Sequence, residues 1–131
     1  MGSIPGEGFD RPASYQILVV EDETFIAMDL ELSLVDAGFG VMGPVPTVAA
    51  ALALLTKQRP DAAVLDVSLR GERVTAVAET LRTMGVPFVL ASAYGEAELA
   101  SDAVLARARN VGKPTVPAVL FAALRTLLDH P

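Results

Sequence analysis

The chain has 131 residues, 52% apolar and 20% charged, a balance that suits one domain with its own core and excludes intrinsic disorder. No apolar run approaches the roughly 20 residues of a membrane-spanning helix, and the absence of cysteine excludes disulfides, thiolate metal sites and cysteine nucleophiles. A net charge of −6 argues against direct binding to a nucleic-acid backbone, and a lone histidine, His130, gives no basis for a His-rich metal site or triad.

Residues 1–14 are rich in Gly and Pro and lack the basic start and apolar stretch of a secretory signal. They are expected to form a flexible segment ahead of one domain over 15–131, and the whole is expected to be cytoplasmic. The apolar run at 17–20 predicts a buried strand. A helix is predicted over 24–37, where Ile26, Leu30 and Leu34 recur four apart and Gly38 supplies a stop. Residues 39–42 predict a second strand, ended by Gly43-Pro44. Thr47 then caps a helix running to Lys57. The third strand is predicted at 62–65 and ends at Asp66, followed by a helix over 72–84 that Gly85 closes. A fourth strand at 87–91 and a helix over 96–105 follow. A fifth strand at 109–112 is weakened by the polar run ARARN at 106–110. Pro117 suits the first turn of a last helix with Leu120, Leu124 and Leu127 as its apolar stripe.

Five strands alternating with five helices predict an α/β fold, a parallel sheet with helices on both faces. In such sheets the functional crevice lies beyond the carboxyl ends of the strands. Glu21, Asp22 and Glu23 follow the first strand, Asp66 the third, Ser92 the fourth and Lys113-Pro114 the fifth, so these side chains are expected on one rim. Clustered carboxylates repel one another and call for a hard cation, and Mg²⁺ takes a few carboxylates plus phosphate. Asp22 and Asp66 are the expected direct ligands, Glu21 acts through water, and the backbone carbonyl of Ser68 adds a further oxygen. Asp66 is the expected nucleophile, since a carboxylate can carry a phosphoryl group as an acyl phosphate. Lys113 would supply a point charge and Ser92 a hydroxyl donor, with small Ala93 allowing close backbone approach. Taken singly, each has a plainer reading: strand-end acids cap helices, a lone Asp makes a turn, and a lysine before proline is usually solvated. What favours the chemical reading is their succession at four strand ends.

The stretches ILVVEDE, AVLDVSL, FVLASAY and VGKP together resemble the signature blocks of two-component response-regulator receiver domains, over about residues 16–129. The resemblance implies a flavodoxin-like (βα)5 doubly wound fold with strand order 2-1-3-4-5. It also implies phosphotransfer from a histidine kinase to Asp66, with Glu21 and Asp22 as the acidic metal pair, Ser92 as the switch hydroxyl and Lys113 as the phosphoryl-binding lysine. More narrowly, PFVLASAYG at 87–95 and LDVSLRGERV around Asp66 resemble the FAT-GUY receivers of alphaproteobacteria, often linked to HWE-type kinases and the general stress response. Leu90, Ser92 and Ala93 depart from that motif's Phe, Thr and Gly. Typical receivers carry Tyr or Phe three residues before the lysine. Asn110 stands there instead, which departs from the aromatic switch and makes Ser92, Tyr94 and Asn110 itself the switch candidates.

The expected role is therefore a phosphorylation switch, not an enzyme in its own right, acting through a downstream protein, a phosphotransferase or a second copy of itself. An aspartate-nucleophile phosphatase usually needs an acid two residues after the nucleophile, where this chain has Ser68. A pseudo-receiver scaffold would have no need of intact Asp66, Asp22 and Lys113.

Overall fold

A computed structural model describes residues 14–129. The segment expected to be flexible therefore lies, except for Ser14, outside the described residues, as does His130. The elements in order are β1 (Gln16–Val20), α1 (Thr24–Asp36), β2 (Gly40–Val45), α2 (Val48–Leu55), β3 (Ala62–Leu65), β4 (Ser68–Leu69), β5 (Glu72–Arg73), α3 (Thr75–Met84), β6 (Phe88–Leu90), α4 (Glu96–Leu99) and α5 (Pro117–Asp129). No helix among the described residues is long and apolar enough to cross a membrane.

Four strands form one parallel sheet in the order β2-β1-β3-β6, the flavodoxin-like order with β6 in the fourth position. Because side chains alternate across a strand, β1 divides its apolar residues between two layers. Ile17 and Val19 pack with Leu30 and Leu34 of α1 and Leu120 and Leu124 of α5. Leu18 and Val20 pack on the other face with Val48 and Leu55 of α2 and Val77 and Leu81 of α3. Both faces of β3 are buried, which explains why AAVL reads as an unbroken apolar run.

Local chemistry sets the ends of several helices. The Thr47 hydroxyl accepts from Ala50 N at 3.0 Å and caps α2. Gly85, at φ 74°, ends α3 in a conformation that a residue with a Cβ adopts at a cost.

Four expectations need correction. The predicted strand at 109–112 is reduced to a single bridge, Leu90 with Asn110, held by Leu90 N to Arg109 O and Val111 N to Leu90 O, each 2.8 Å. Polar, unbranched residues precede it and Gly112, at φ 88°, turns the chain away. The helix predicted over 96–105 stops at Leu99. Asp102 competes for the backbone there: its Oδ1 accepts from Val104 N at 3.1 Å and Leu105 N at 3.3 Å, and its Oδ2 accepts from the Thr75 hydroxyl. The helix predicted from Glu72 begins at Thr75, because Glu72 and Arg73 pair antiparallel with Ser68 and Leu69. Arg70 and Gly71 form the two-residue turn of that hairpin, both at positive φ (52° and 84°), the pattern of a type I′ turn. Finally, β2 continues through Gly43-Pro44 to Val45, a course open to an edge strand with an irregular register against β1.

Replacing Thr47 with Ala removes the α2 cap and is expected to cost about 1 kcal/mol, a fall of about 4 °C in Tm. Thr56→Ala removes only an exposed hydroxyl bonded to Ala53 O and should change Tm by less than about 1 °C. Thermal melts followed by circular dichroism test the contrast, and equal losses from the two changes would contradict it.

Candidate functional site

The carboxyl ends of β1 and β3 are adjacent in the sheet, so the residues that follow them meet. Asp66 N donates to Val20 O at 2.9 Å, and Glu21 N donates to Val45 O at 3.0 Å, which locks both turns onto the strand ends. Carboxylate oxygens of Glu21, Asp22 and Asp66 all lie within 4.8 Å of one another. Glu21 and Asp66 are nearly sealed from solvent, at 2% and 6% exposure.

Lys113 reaches into this cluster from the loop before α5. Its Nζ stands 2.9 Å from Glu23 Oε1, 3.1 Å from Asp66 Oδ2 and 3.2 Å from Glu21 Oε1. Burial alone would lower the Lys113 pKa, but the pull of Glu23, Asp66 and Glu21 outweighs it and raises the ammonium above its ordinary range. Burial pushes the Glu21 carboxyl up to about 7. The Glu23 N–H that bonds its Oε2 at 3.0 Å opposes this, and the neighbouring Asp66 adds to it. For Asp22, burial also acts upward but is outweighed chiefly by the Arg70 N–H, 3.0 Å from Oδ2, so its carboxyl sits below the usual range.

Ser92 lies at the end of β6, with its hydroxyl oxygen accepting from Tyr94 N at 3.0 Å, which leaves the hydroxyl hydrogen for another acceptor. Ser92, Ala93 and Tyr94 line one open cleft with Asp22, Asp66, Ser68 and Lys113, about 450 Å³ in volume. The half-exposed Tyr94 ring carries the Arg73 guanidinium 5.5 Å from its centroid, so the β4–β5 hairpin closes one side. Asn110 stands just outside the cleft, bonded to the backbone on either side of it.

The sequence-predicted residues Glu21, Asp22, Asp66, Ser68, Ser92, Tyr94 and Lys113 are thus gathered at one rim. Sequence reasoning placed Glu23 on the rim but gave it no role, and it is the shortest contact of Lys113. Nor did it find the Arg70 N–H on Asp22, since a backbone donor has no residue signature.

The donor set fits a divalent cation of the Mg²⁺ class: three carboxylates, no nitrogen or sulfur, and excess negative charge after Lys113 is counted. Glu21 Oε1 is buried and makes no hydrogen bond; its one charged contact is the Lys113 ammonium at 3.2 Å, which leaves it room to accept from a metal-bound water.

The Glu21 shift predicts a pH dependence of the metal-free protein. Its folded pKa, about 7, lies above the ordinary 4.5. The stabilising contribution is then fully present below pH about 4.5 and is lost as pH rises through about 7. Urea denaturation without divalent ions should show stability falling by up to about 3 kcal/mol between pH about 5 and 8. Glu21→Gln should flatten that slope, and an unchanged slope in the variant would assign it to other groups.

Residues 17–125 match the family of response regulator receiver domains. The chain is 32% identical over 116 residues to the phyllosphere-induced regulator PhyR of Methylorubrum extorquens, covering 86% of this chain and 43% of that protein. It is 28% identical over 109 residues to the transcriptional regulatory protein PdtaR of Mycobacterium tuberculosis, covering 82% of this chain and 51% of that protein. It therefore spans about half the length of these curated relatives, or less. The solution NMR structure of the receiver domain of Erythrobacter litoralis PhyR is similar, with a TM-score of 0.80 at 25% identity over 90% of this chain and 92% of that one.

Proposed function

We infer the function from one premise: the chain belongs to the response regulator receiver family, the signalling switches of two-component systems. Within that family we read it as a working phosphoacceptor. Asp66 takes the phosphoryl group of a kinase phosphohistidine: the histidine N–P bond breaks as a carboxylate O–P bond forms, and the imidazole, protonated on its other ring nitrogen, leaves neutral. The observation that carries this reading is the convergence of Glu21, Asp22, Asp66 and Lys113, from three segments far apart in sequence, on one small cluster.

Each residue has a role that follows from its placement. Asp22 and Asp66 would hold Mg²⁺ directly, Glu21 through water, and the Ser68 carbonyl would complete the protein oxygens. Bound there, Mg²⁺ would neutralise charge on the phosphoryl oxygens and on the acids around them. Lys113, already against Asp66 Oδ2, is positioned to follow the arriving charge. Ser92 has a hydroxyl hydrogen to offer a phosphoryl oxygen.

The kinase must bring its phosphohistidine to this rim, where α1 starts two residues beyond Asp22. Phe25, Met28, Leu32 and Val35 of α1 are exposed, which supports docking along that helix. The PFVLASAYG stretch supports placement among FAT-GUY receivers with an HWE-type kinase. We take the cytoplasm as the site of action, in keeping with a cysteine-free chain. The output is a protein contact, with a downstream protein, a phosphotransferase or a second copy.

Asp66→Asn is expected to keep the fold and to accept no label from a panel of phosphorylated histidine kinases, while the unaltered chain is labelled by at least one. Equal labelling of the variant would remove Asp66 from the role, and a silent unaltered chain would favour a scaffold. Asp22→Asn should weaken Mg²⁺ binding by about tenfold or more, as titration calorimetry would show. An unchanged affinity would exclude Asp22 as a ligand.

A further inference from the structure

The four hydrogen-bonding positions of the Asn110 carboxamide are all used, and all on backbone. Oδ1 accepts from Ser92 N and from Gly112 N, each at 3.0 Å. Nδ2 donates to Ser92 O at 3.1 Å and to Tyr94 O at 3.0 Å. A primary amide has two donor hydrogens and two acceptor lone pairs, so the group is saturated. Its partners belong to two arms of the cleft: the turn after β6 that carries Ser92, and the turn that carries Lys113 immediately after Gly112.

The fold gives this side chain unusual leverage. The backbone ladder between β6 and the following segment stops at the single Leu90–Asn110 bridge. Beyond that point the two arms have no strand pairing, and the Asn110 side chain supplies the cross-links a ladder would have made. One oxygen fixes Ser92 N and Gly112 N at a common distance, so a shift of either arm is felt by the other. The amide hydrogens also tie Ser92 to Tyr94, two residues on, at the lip of the cleft under Arg73.

We propose that Asn110 is a positioning residue for the phosphoryl site. Its carboxamide holds the Ser92 arm and the Lys113 arm in register, and through Oδ1 it transmits displacement of Ser92 to the backbone at Gly112, next to Lys113. The proposal rests on the phosphoacceptor reading of Asp66 given above. Asn110 has no contact with the acidic cluster among the described hydrogen bonds, so its effect should fall on the phosphoryl group and spare the metal.

The test uses the full chain, titrated first with Mg²⁺ alone and then with beryllofluoride as a phosphoryl mimic, followed by amide NMR. In the unaltered protein, beryllofluoride should move the amides of Ser92, Tyr94 and Gly112 together with the Asn110 side-chain amide. Asn110→Ala should bind Mg²⁺ within about twofold of the original and bind beryllofluoride about tenfold more weakly, with the Gly112 amide no longer following Ser92 while Tyr94, bonded to the Ser92 hydroxyl, still does. Should that variant fold poorly, Asn110→Asp keeps the Oδ1 acceptor and loses both donors. It is then expected to keep the Ser92 and Gly112 shifts coupled. Unaltered beryllofluoride affinity and an undiminished Gly112 shift in Asn110→Ala, or uncoupled Ser92 and Gly112 shifts in Asn110→Asp, would overturn the proposal while leaving Asp66 in place. An unaltered chain that binds Mg²⁺ yet gives no response to beryllofluoride would overturn the phosphoacceptor reading and this inference together.

Discussion

One ammonium group makes the rim of this sheet tenable. Glu21 and Asp66 are buried beside each other, with Asp22 and Glu23 close by. Carboxylates in that arrangement repel strongly when desolvated. Lys113 answers by touching three of them, and it does so across 92 residues of sequence from Glu21 and 47 from Asp66. The compensation is incomplete: Glu21 stays well above the ordinary carboxylate range, and one of its oxygens accepts no hydrogen bond. The local charge therefore remains negative, which suits a divalent cation and would make an arriving phosphoryl group, as proposed, dependent on one. A cluster that one lysine neutralised fully would have little use for a metal.

The parts of this arrangement legible in the sequence were those with a strong local signature. Ile17 to Val20 and Ala62 to Leu65 are apolar on both faces because the strands are buried on both faces, and the polar residue that ends each run marks the rim. Thr47 and Gly85 announced helix ends through capping chemistry. Once strand order was set, Asp22, Asp66 and Ser92 had to meet, since each follows within two residues a strand that points the same way, and the Leu90–Asn110 bridge brings Lys113 to the same rim.

What stayed hidden depended on side chains that compete with the backbone. Asp102 binds two amides and the Thr75 hydroxyl, and so stops a helix that simple periodicity would continue to Leu105. Arg70 takes a positive φ usually left to Asn, Asp or Gly, so the hairpin between Ser68 and Arg73 lacked its usual turn signal. The Asp22 carboxylate receives the Arg70 N–H and thereby helps hold that turn. This links the two features: a residue assigned to metal binding also secures the hairpin whose Arg73 covers Tyr94, so the metal side and the lip of the cleft share a support.

The weakened fifth strand has a comparable logic. A full strand beside β6 would fix the Ser92 and Lys113 arms through a ladder of backbone bonds, each modest and independent of side-chain identity. Here the ladder ends at Leu90 and Asn110, and one carboxamide takes over. The result is more exacting, because four bonds depend on a single side chain. It is also easier to shift, because no strand must break for the arms to move. An edge joined through one side chain can move as a unit when one of its arms is displaced, and that is what a switch needs from the segment between its charged centre and its partner.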